Sequence, residues 1–344
     1  MNIDDYVIIA PQKKHPDVVF FNTRQGSIQI NTNIDHVERF ITDDNYISDT
    51  AKGNIIGSVS IICKPGLFKN EVNQYADGQF IKKEDLIYSV GVENTIFCNE
   101  ESNLLINHYP VCNLLYFNTN HNYALCVIPS EDVAGFLAKM AIKRLSANYN
   151  YRTKAYFSLH ASCVTYLDMA FVFIAGGRAG KTTSYLNLVS DRYFPMNDDV
   201  LFWKCEQDDI TIDSIPLKVN IRENSLRYLR FPLDLTICNK GFDNELYVST
   251  DKLFNKTISS PSKLKAIFIP EINHKITTIK RINSKDYLKR ILRSCMTHDQ
   301  LTLDENFVES FNRLMKYSIY KIEISDDAEE FLTCFNAFVN TVSI

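Results

Sequence analysis

The chain has 344 residues, 45% hydrophobic and 23% charged, with a formal net charge of −4. Those proportions belong to globular proteins and exclude wholesale disorder, while 11 glycines and 10 prolines exclude collagen-like and low-complexity classes. The acidic balance disfavours a globally basic nucleic-acid binder, and no apolar run reaches the roughly 18–20 residues of a membrane span.

At about 100–200 residues per domain, the length predicts two domains. The N-terminus has no positive segment ahead of its short apolar stretch Tyr6–Ala10, so no signal peptide is expected. The nine cysteines, at 63, 98, 112, 126, 163, 205, 238, 295 and 334, form no C-x-x-C pair. Scattered single cysteines read as core thiols in a reducing compartment, which makes a cytoplasmic location the expectation.

Residues 1–128 read as mostly β. Tyr6–Ala10, Val18–Asn22, Ser27–Ile30, Ile55–Cys63, Thr95–Cys98, Leu104–Ile106, Cys112–Phe117 and Tyr123–Ile128 alternate or run with β-branched residues. Turn formers such as Asn118–Asn122 separate them. His15, His36, His108 and His121 are widely spaced and show no ligand pattern, so this half carries no catalytic motif. Ser130 is placed to cap a helix with Val133, Phe136, Leu137, Met140, Ala141 and Leu145 on one face. The Asn- and Tyr-rich stretch 148–152 then reads as a boundary, giving a β-rich domain over 1–150 and an α/β domain over 151–344.

In the second half the pattern becomes strand–loop–helix. Phe157–Thr165 and Met169–Ala175 predict strands, Gly176–Gly180 a glycine-rich loop and Lys181–Ser190 a helix. Strands follow at Val200–Lys204, Ile210–Ile215, Leu217–Ile221, Lys265–Pro270 and Tyr317–Ile324. Helices are expected at Ser284–Cys295 (capped by Ser284), Asp304–Lys316 and Ala328–Thr341. No internal repeat is visible.

The run from Ala175 through Gly176, Gly177, Arg178, Ala179, Gly180, Lys181, Thr182 and Thr183 has the context of a phosphate-binding loop. An apolar strand feeds a glycine-rich turn, and the helix after it begins Lys-Thr. Backbone N–H groups and the helix N-terminus suit phosphate oxygens, the lysine supplies a point charge, and the threonine hydroxyl suits Mg²⁺. The first motif position, normally glycine, is Ala175. Downstream, Asn197-Asp198-Asp199 leads into an apolar strand. Read locally, it is either a polar turn or a carboxylate pair that a metal ion or substrate proton would relieve of repulsion.

His160, the loop and the aspartate pair at these spacings resemble the HPr kinase/phosphorylase family, whose catalytic domain is related to phosphoenolpyruvate carboxykinase. The matching stretches are Leu159–Val164, Ala175–Thr182 and Asn197–Val200. The resemblance covers about residues 155–205. Ala175 and Arg178 stand where the family has glycines, and the family's downstream Glu-Ile-Arg-Gly signature is absent. Pro216–Glu223 lies near its place. The fit is closer to diverged relatives that modify peptides, such as lasso-peptide tailoring kinases.

The resemblance implies a P-loop α/β catalytic domain that uses ATP, or another nucleoside triphosphate, with Mg²⁺ to phosphorylate a Ser or Thr hydroxyl of a peptide or protein. It implies Lys181 and the loop on the β- and γ-phosphates, Thr182 and Asp199 on the metal, Asp198 as base and His160 orienting a phosphate or carboxylate. Residues 1–150 would hold the peptide. The family forms hexamers, so a homo-oligomer is conceivable, although no interface can be read from the sequence. No nucleic-acid or membrane partner is expected. Two other classes stay open: a nucleotide-binding regulatory module without turnover, and a carboxykinase-like enzyme acting on a small molecule. Arg178 reads either as a transition-state cation or as a solvent-facing side chain. Arg222 with Glu223 reads as a site arginine or a surface ion pair. The cations Lys285, Lys289, Arg290 and Arg293 read as a partner contact or a solvated helix face.

Overall fold

The computed structural model describes residues 17–32, 34, 41–42, 46–63, 87–90, 94–98, 102–107, 113–128, 130–154, 156–176, 179–207, 209–241, 245–296 and 304–342. The expected Tyr6–Ala10 strand, His15, His36, His108 and Cys112 lie outside these residues. The chain divides into two compact units, Met1–Tyr149 and Asn150–Ile344.

In the first unit the strands are β1 (Asp17–Asn22), β2 (Ser27–Thr32), β3 (Ile47–Ser48), β4 (Ile55–Cys63), β5 (Ile87–Val90), β6 (Asn94–Cys98), β7 (Ser102–Asn107), β8 (Asn113–Asn118) and β9 (Tyr123–Ile128). They form one sheet in the order β3-β1-β2-β4-β9-β8-β7-β6-β5. Only β2–β4 and β4–β9 pair in parallel. Buried side chains recur with period two on β2 (Ile28 and Ile30), β4 (Val59 and Ile61), β8 (Leu115 and Phe117) and β9 (Ala124, Cys126 and Ile128).

Helix α1 (Ala134–Lys154) follows a short 3₁₀ turn, Glu131–Val133, and the division between units falls within it. Ser130 makes no capping side-chain bond. The buried stripe is Ala134, Leu137, Ala138, Ala141, Ile142 and Leu145, an i, i+3, i+4 series. Phe136 is off that stripe and exposed, contrary to the sequence expectation.

The second unit is mixed α/β. Its main strands are β10 (Phe157–Leu159), β11 (Ser162–Tyr166), β12 (Met169–Phe173), β13 (Phe194–Asn197), β14 (Leu201–Glu206) and β15 (Asp209–Ser214). A three-stranded sheet comprises β16 (Val219–Arg222), β17 (Asn239–Lys240) and β18 (Glu245–Val248), in the order β16-β18-β17. The main sheet also takes in β19 (Ser262–Ile272), β20 (Thr278–Arg281) and β21 (Ile319–Ile324). Its order is β10-β14-β15-β19-β12-β11-β13, and β21 pairs with β19 and β20. Parallel pairing joins β12 to β19 and β19 to β21. The helices are α2 (Lys181–Val189), α3 (Thr250–Phe254), α4 (Ser284–Met296), α5 (Glu305–Leu314) and α6 (Ala328–Val342). No helix among the described residues is long and apolar enough to cross a membrane.

The unbroken apolar run of β12 follows from burial on both faces. Ala170 and Val172 enter one core with Trp203, Ile291 and Phe307, which draws in α4 and α5. Phe171 and Phe173 enter the other with Tyr185, Leu188, Phe268 and Phe335, under α2 and α6. Asp304 Oδ1 accepts from the Phe307 N–H at 2.7 Å and caps α5. At α4 the Lys285 N–H is taken by Asn283 Oδ1 at 3.1 Å, so the capping side chain is Asn283 and not Ser284, which is already helical. The single strand expected over Phe157–Thr165 is broken. β10 pairs with β14 while β11 pairs with β12 and β13, and His160 and Ala161 make the break.

Candidate active site

At the carboxyl end of β12 the chain enters the glycine-rich loop. The Ile174 N–H donates to Phe268 O on β19 at 2.8 Å, which holds the loop's approach to the sheet. Ala175 is buried, and its φ is not positive. The backbone there demands no glycine, so the alanine at the first motif position is accommodated. Gly180 is different: its φ is +88°, a left-handed conformation that glycine adopts without strain. From it α2 starts, and the Ser184 N–H donates to Gly180 O at 2.9 Å. Gly177 and Arg178 lie outside the described residues.

Lys181 is the first residue of α2 and is 9% exposed. Its Nζ lies 2.7 Å from His160 Nε2. A lysine ammonium has no acceptor, so Nε2 accepts and the imidazole proton sits on Nδ1. Nδ1 in turn lies 3.0 Å from Asp199 Oδ1. The break between β10 and β11 puts His160 there, and its backbone N–H is anchored on Ser294 O at 2.8 Å.

The aspartates point apart. Thr182 Oγ1 donates to Asp198 Oδ2 at 2.7 Å, whereas Asp199 faces His160. The device that splays them is Asn197. Its Oδ1 accepts the N–H groups of Asp199 (2.8 Å) and Val200 (3.2 Å), and its Nδ2 donates to Ile215 O at 2.6 Å. That Asx-type turn converts two adjacent carboxylates into one on each side. The sequence reading grouped Thr182 with Asp199; the hydrogen bond joins Thr182 to Asp198.

His160, Gly176, Ala179, Gly180, Lys181, Thr182, Thr183, Asp198 and Asp199 all line one open cleft of about 760 Å³. A further wall carries Arg222 and Glu223, which the sequence reading left between a site arginine and a surface ion pair, together with Lys218, Asn220 and Glu245, which it missed. Lys218, Asn220 and Arg222 line it from β16 and the residue before it, and Glu245 from β18. Arg222 Nε stands 3.5 Å from Glu245 Oε1, and Asn220 Nδ2 donates to Glu245 Oε2 at 3.2 Å. The signal was present in the period-two alternation of Lys218, Asn220 and Arg222 with Val219 and Ile221.

Two buried phenols back the carboxylates. Tyr185 is raised well above its ordinary pKa, chiefly by burial and then by Asp198. Burial, followed by Glu245 and Asp199, raises Tyr247. Both stay neutral hydroxyls at physiological pH. Gly241 packs on the Tyr247 ring so closely that a Cβ would stand 1.7 Å from its Cε2. Lys285, Lys289 and Arg293 are exposed and not among the cleft-lining residues, and Arg290 faces Glu271 at 3.5 Å.

The donor set suits Mg²⁺ with phosphate. Thr182 and Asp198 offer a hydroxyl and a carboxylate, the hard oxygen ligands this ion takes in small number from protein, with phosphate and water supplying the rest. No group of three or more His, Cys, Asp or Glu that could hold a metal on its own occurs among the described residues. At Gly176 a Cβ would meet nothing within 4 Å, so the chain leaves open space beside the loop.

No family model matches the chain, and no curated protein matches it. Among solved structures, it is similar to the Hpr(Ser) kinase/phosphatase from Coxiella burnetii, at 11% sequence identity and a TM-score of 0.30, over 54% of this chain and 99% of that one.

Proposed function

We propose that the chain is a kinase-type phosphotransferase that moves a phosphoryl group from a nucleoside triphosphate to a hydroxyl. The observation that carries this reading is the convergence of Lys181, Thr182, Asp198, Asp199 and His160 on one open cleft at the carboxyl end of β12. A cation, a hydroxyl–carboxylate pair and a second carboxylate oriented by an imidazole are the parts that phosphoryl transfer uses.

Lys181 binds the outer phosphates, leaving His160 as it does so. Thr182 and Asp198 hold Mg²⁺, which neutralises charge on the phosphates when bound. Asp199 accepts the acceptor's hydroxyl proton, with His160 Nδ1 standing 3.0 Å from its Oδ1. This division reverses the sequence expectation of Asp198 as base and Asp199 on the metal. The reason is that Asp198 is the carboxylate hydrogen-bonded to Thr182, while Asp199 is the more open of the two.

The cleft is open to solvent with a volume of about 760 Å³, room for a side chain still attached to its backbone, which supports a Ser or Thr hydroxyl of a peptide or protein as acceptor. The test incubates the full chain with labelled ATP, Mg²⁺ and candidate peptides and reads the products by mass spectrometry. One added phosphoryl group on a peptide, lost in Lys181→Ala, is expected. Fast ATP hydrolysis without acceptor, or a phosphorylated small molecule as sole product, overturns the peptide reading.

A further inference from the structure

On one face of the main sheet, α4 and α5 close the core that holds Trp203, Ile291 and Phe307. Their sequences run in step at an offset of 20 residues. Buried Ile291 and Ser294 on α4 match buried Phe311 and Leu314 on α5. The side turned away from the core matches too. On α4 it carries Lys285, Leu288, Lys289 and the half-buried Leu292; on α5 it carries Glu305, Val308, Glu309 and Asn312. Each set is an i, i+3, i+4, i+7 stripe. The stripes differ in the sign of their charge. Leu288, 45% exposed, stands between two lysines, and Val308, 48% exposed, stands between two glutamates.

These charges are not used within the chain. Among the described residues, no ion pair involves Lys285, Lys289, Glu305 or Glu309. Arg290, the α4 cation off the stripe, does pair, with Glu271 at 3.5 Å. On the opposite face of the sheet, Arg230 meets both Asp191 (3.6 Å) and Glu329 (3.1 Å). At the stripe margins Arg293 and Arg313 occupy the same position on the two helices, and Asp286 adds one carboxylate beside the α4 stripe. Because both stripes point outward from one face, they cannot meet in one molecule. They can meet when two such faces are laid together.

We infer that this face binds a second copy of the chain across a twofold axis, with α4 of each copy against α5 of the other. A twofold contact repeats itself, so Leu288 meets Val308 twice and each time lies among opposite charges. Burial of the aliphatic side chains favours association, and the charges select the register and the partner. The contact also covers the outer side of α4, the helix whose Ser294 O anchors the His160 N–H at 2.8 Å.

The test follows the mass of the full chain by sedimentation equilibrium over a concentration series. The wild type should form a dimer that dissociates more readily as salt is raised. Lys285→Glu with Lys289→Glu, and separately Glu305→Lys with Glu309→Lys, should each raise the dissociation constant at least about tenfold, because like charges then oppose each other. Leu288→Asn leaves every charge in place and should weaken the dimer by about tenfold. An equimolar mixture of the two charge-reversed variants should dimerise within about threefold of wild type, since each reversed stripe meets its complement in the other variant. That recovery also shows both variants to be folded. A wild type that stays monomeric at about 100 μM, an assembly that none of these variants weakens, or a mixture that does not recover overturns the interface.

Discussion

In the unit of residues 1–149, the polar side chains of Asn22 and Asn122, at strand ends, are used up by the chain itself. Asn22 Nδ2 donates to Ser48 Oγ, and Asn22 Oδ1 accepts from Ser27 Oγ and from the Lys52 N–H. Asn122 donates to Ile56 O and Leu145 O, tying a turn to a strand and a helix. In the unit of residues 150–344, the polar groups at the strand ends are instead charged and gathered around an opening. Lys181, Asp198 and Asp199 meet there with His160, and all line the cleft. A charge held half-buried beside a cavity is costly to keep. Polar groups that close on one another build architecture, whereas charges gathered around a cavity are poised for a ligand.

The sharpest way to break this comparison is to neutralise the carboxylates one at a time. Asp199→Asn should lower phosphoryl transfer by about 10²–10⁴-fold, the range for loss of a positioned base, with Mg-ATP affinity retained. Asp198→Asn should weaken Mg-ATP binding itself, measured by calorimetry at fixed Mg²⁺. Equal effects of the two on binding would dissolve the division of labour read from their partners.

A core truncation in the other unit should act on stability alone. Ile30→Ala removes a fully buried side chain and should destabilise by about 2–5 kcal/mol in denaturant unfolding. Mg-ATP affinity measured below the transition should not move. A changed affinity would show that the two units are energetically coupled.

Asn197→Ala tests the joint between architecture and chemistry. It removes one of the two donors to Ile215 O, the Leu217 N–H being the other, and frees the turn, at a cost of about 1–3 kcal/mol. Because it also releases the splay of Asp198 and Asp199, transfer should fall more than ATP affinity does. A variant with lost stability and full activity would make Asn197 purely structural.

The smallest expected effect is at Lys256, whose ammonium donates to the carbonyls of Val189, Asp191 and Tyr193 at the end of α2. Burial lowers its pKa, yet the charge still suits a helix C-terminus. Lys256→Met should reduce stability by about 1 kcal/mol, seen as a lower Tm, and leave Mg-ATP affinity unchanged.

The strand–loop–helix of 169–189 was legible in the sequence because its determinants are local. An apolar run of strand length, glycines in a turn and Lys-Thr at a helix start act within a dozen residues of chain. The same holds for α5, whose cap Asp304 sits beside the residue it opens. Local pattern did less well where neighbours in space overrule neighbours in sequence. The Phe157–Thr165 run has the composition of one strand, but its two ends pair with different partners and split at His160. Ser284 has the right chemistry for a cap, yet Asn283, one residue earlier, takes the N–H.

From the sequence alone came the residue set: a lysine and threonine after the loop, a histidine before it and a pair of aspartates beyond. Only the tertiary structure decided which aspartate meets Thr182, because that depends on the turn made by Asn197 and its bond to Ile215 in the next hairpin. It also supplied the wall carrying Lys218, Asn220 and Glu245, and brought Ile272 to Ile324 beside Gly180. The physical reason is range. Turn and helix-start chemistry is set by adjacent residues, whereas a cleft is made by side chains far apart in sequence, whose meeting is fixed by sheet register and core packing.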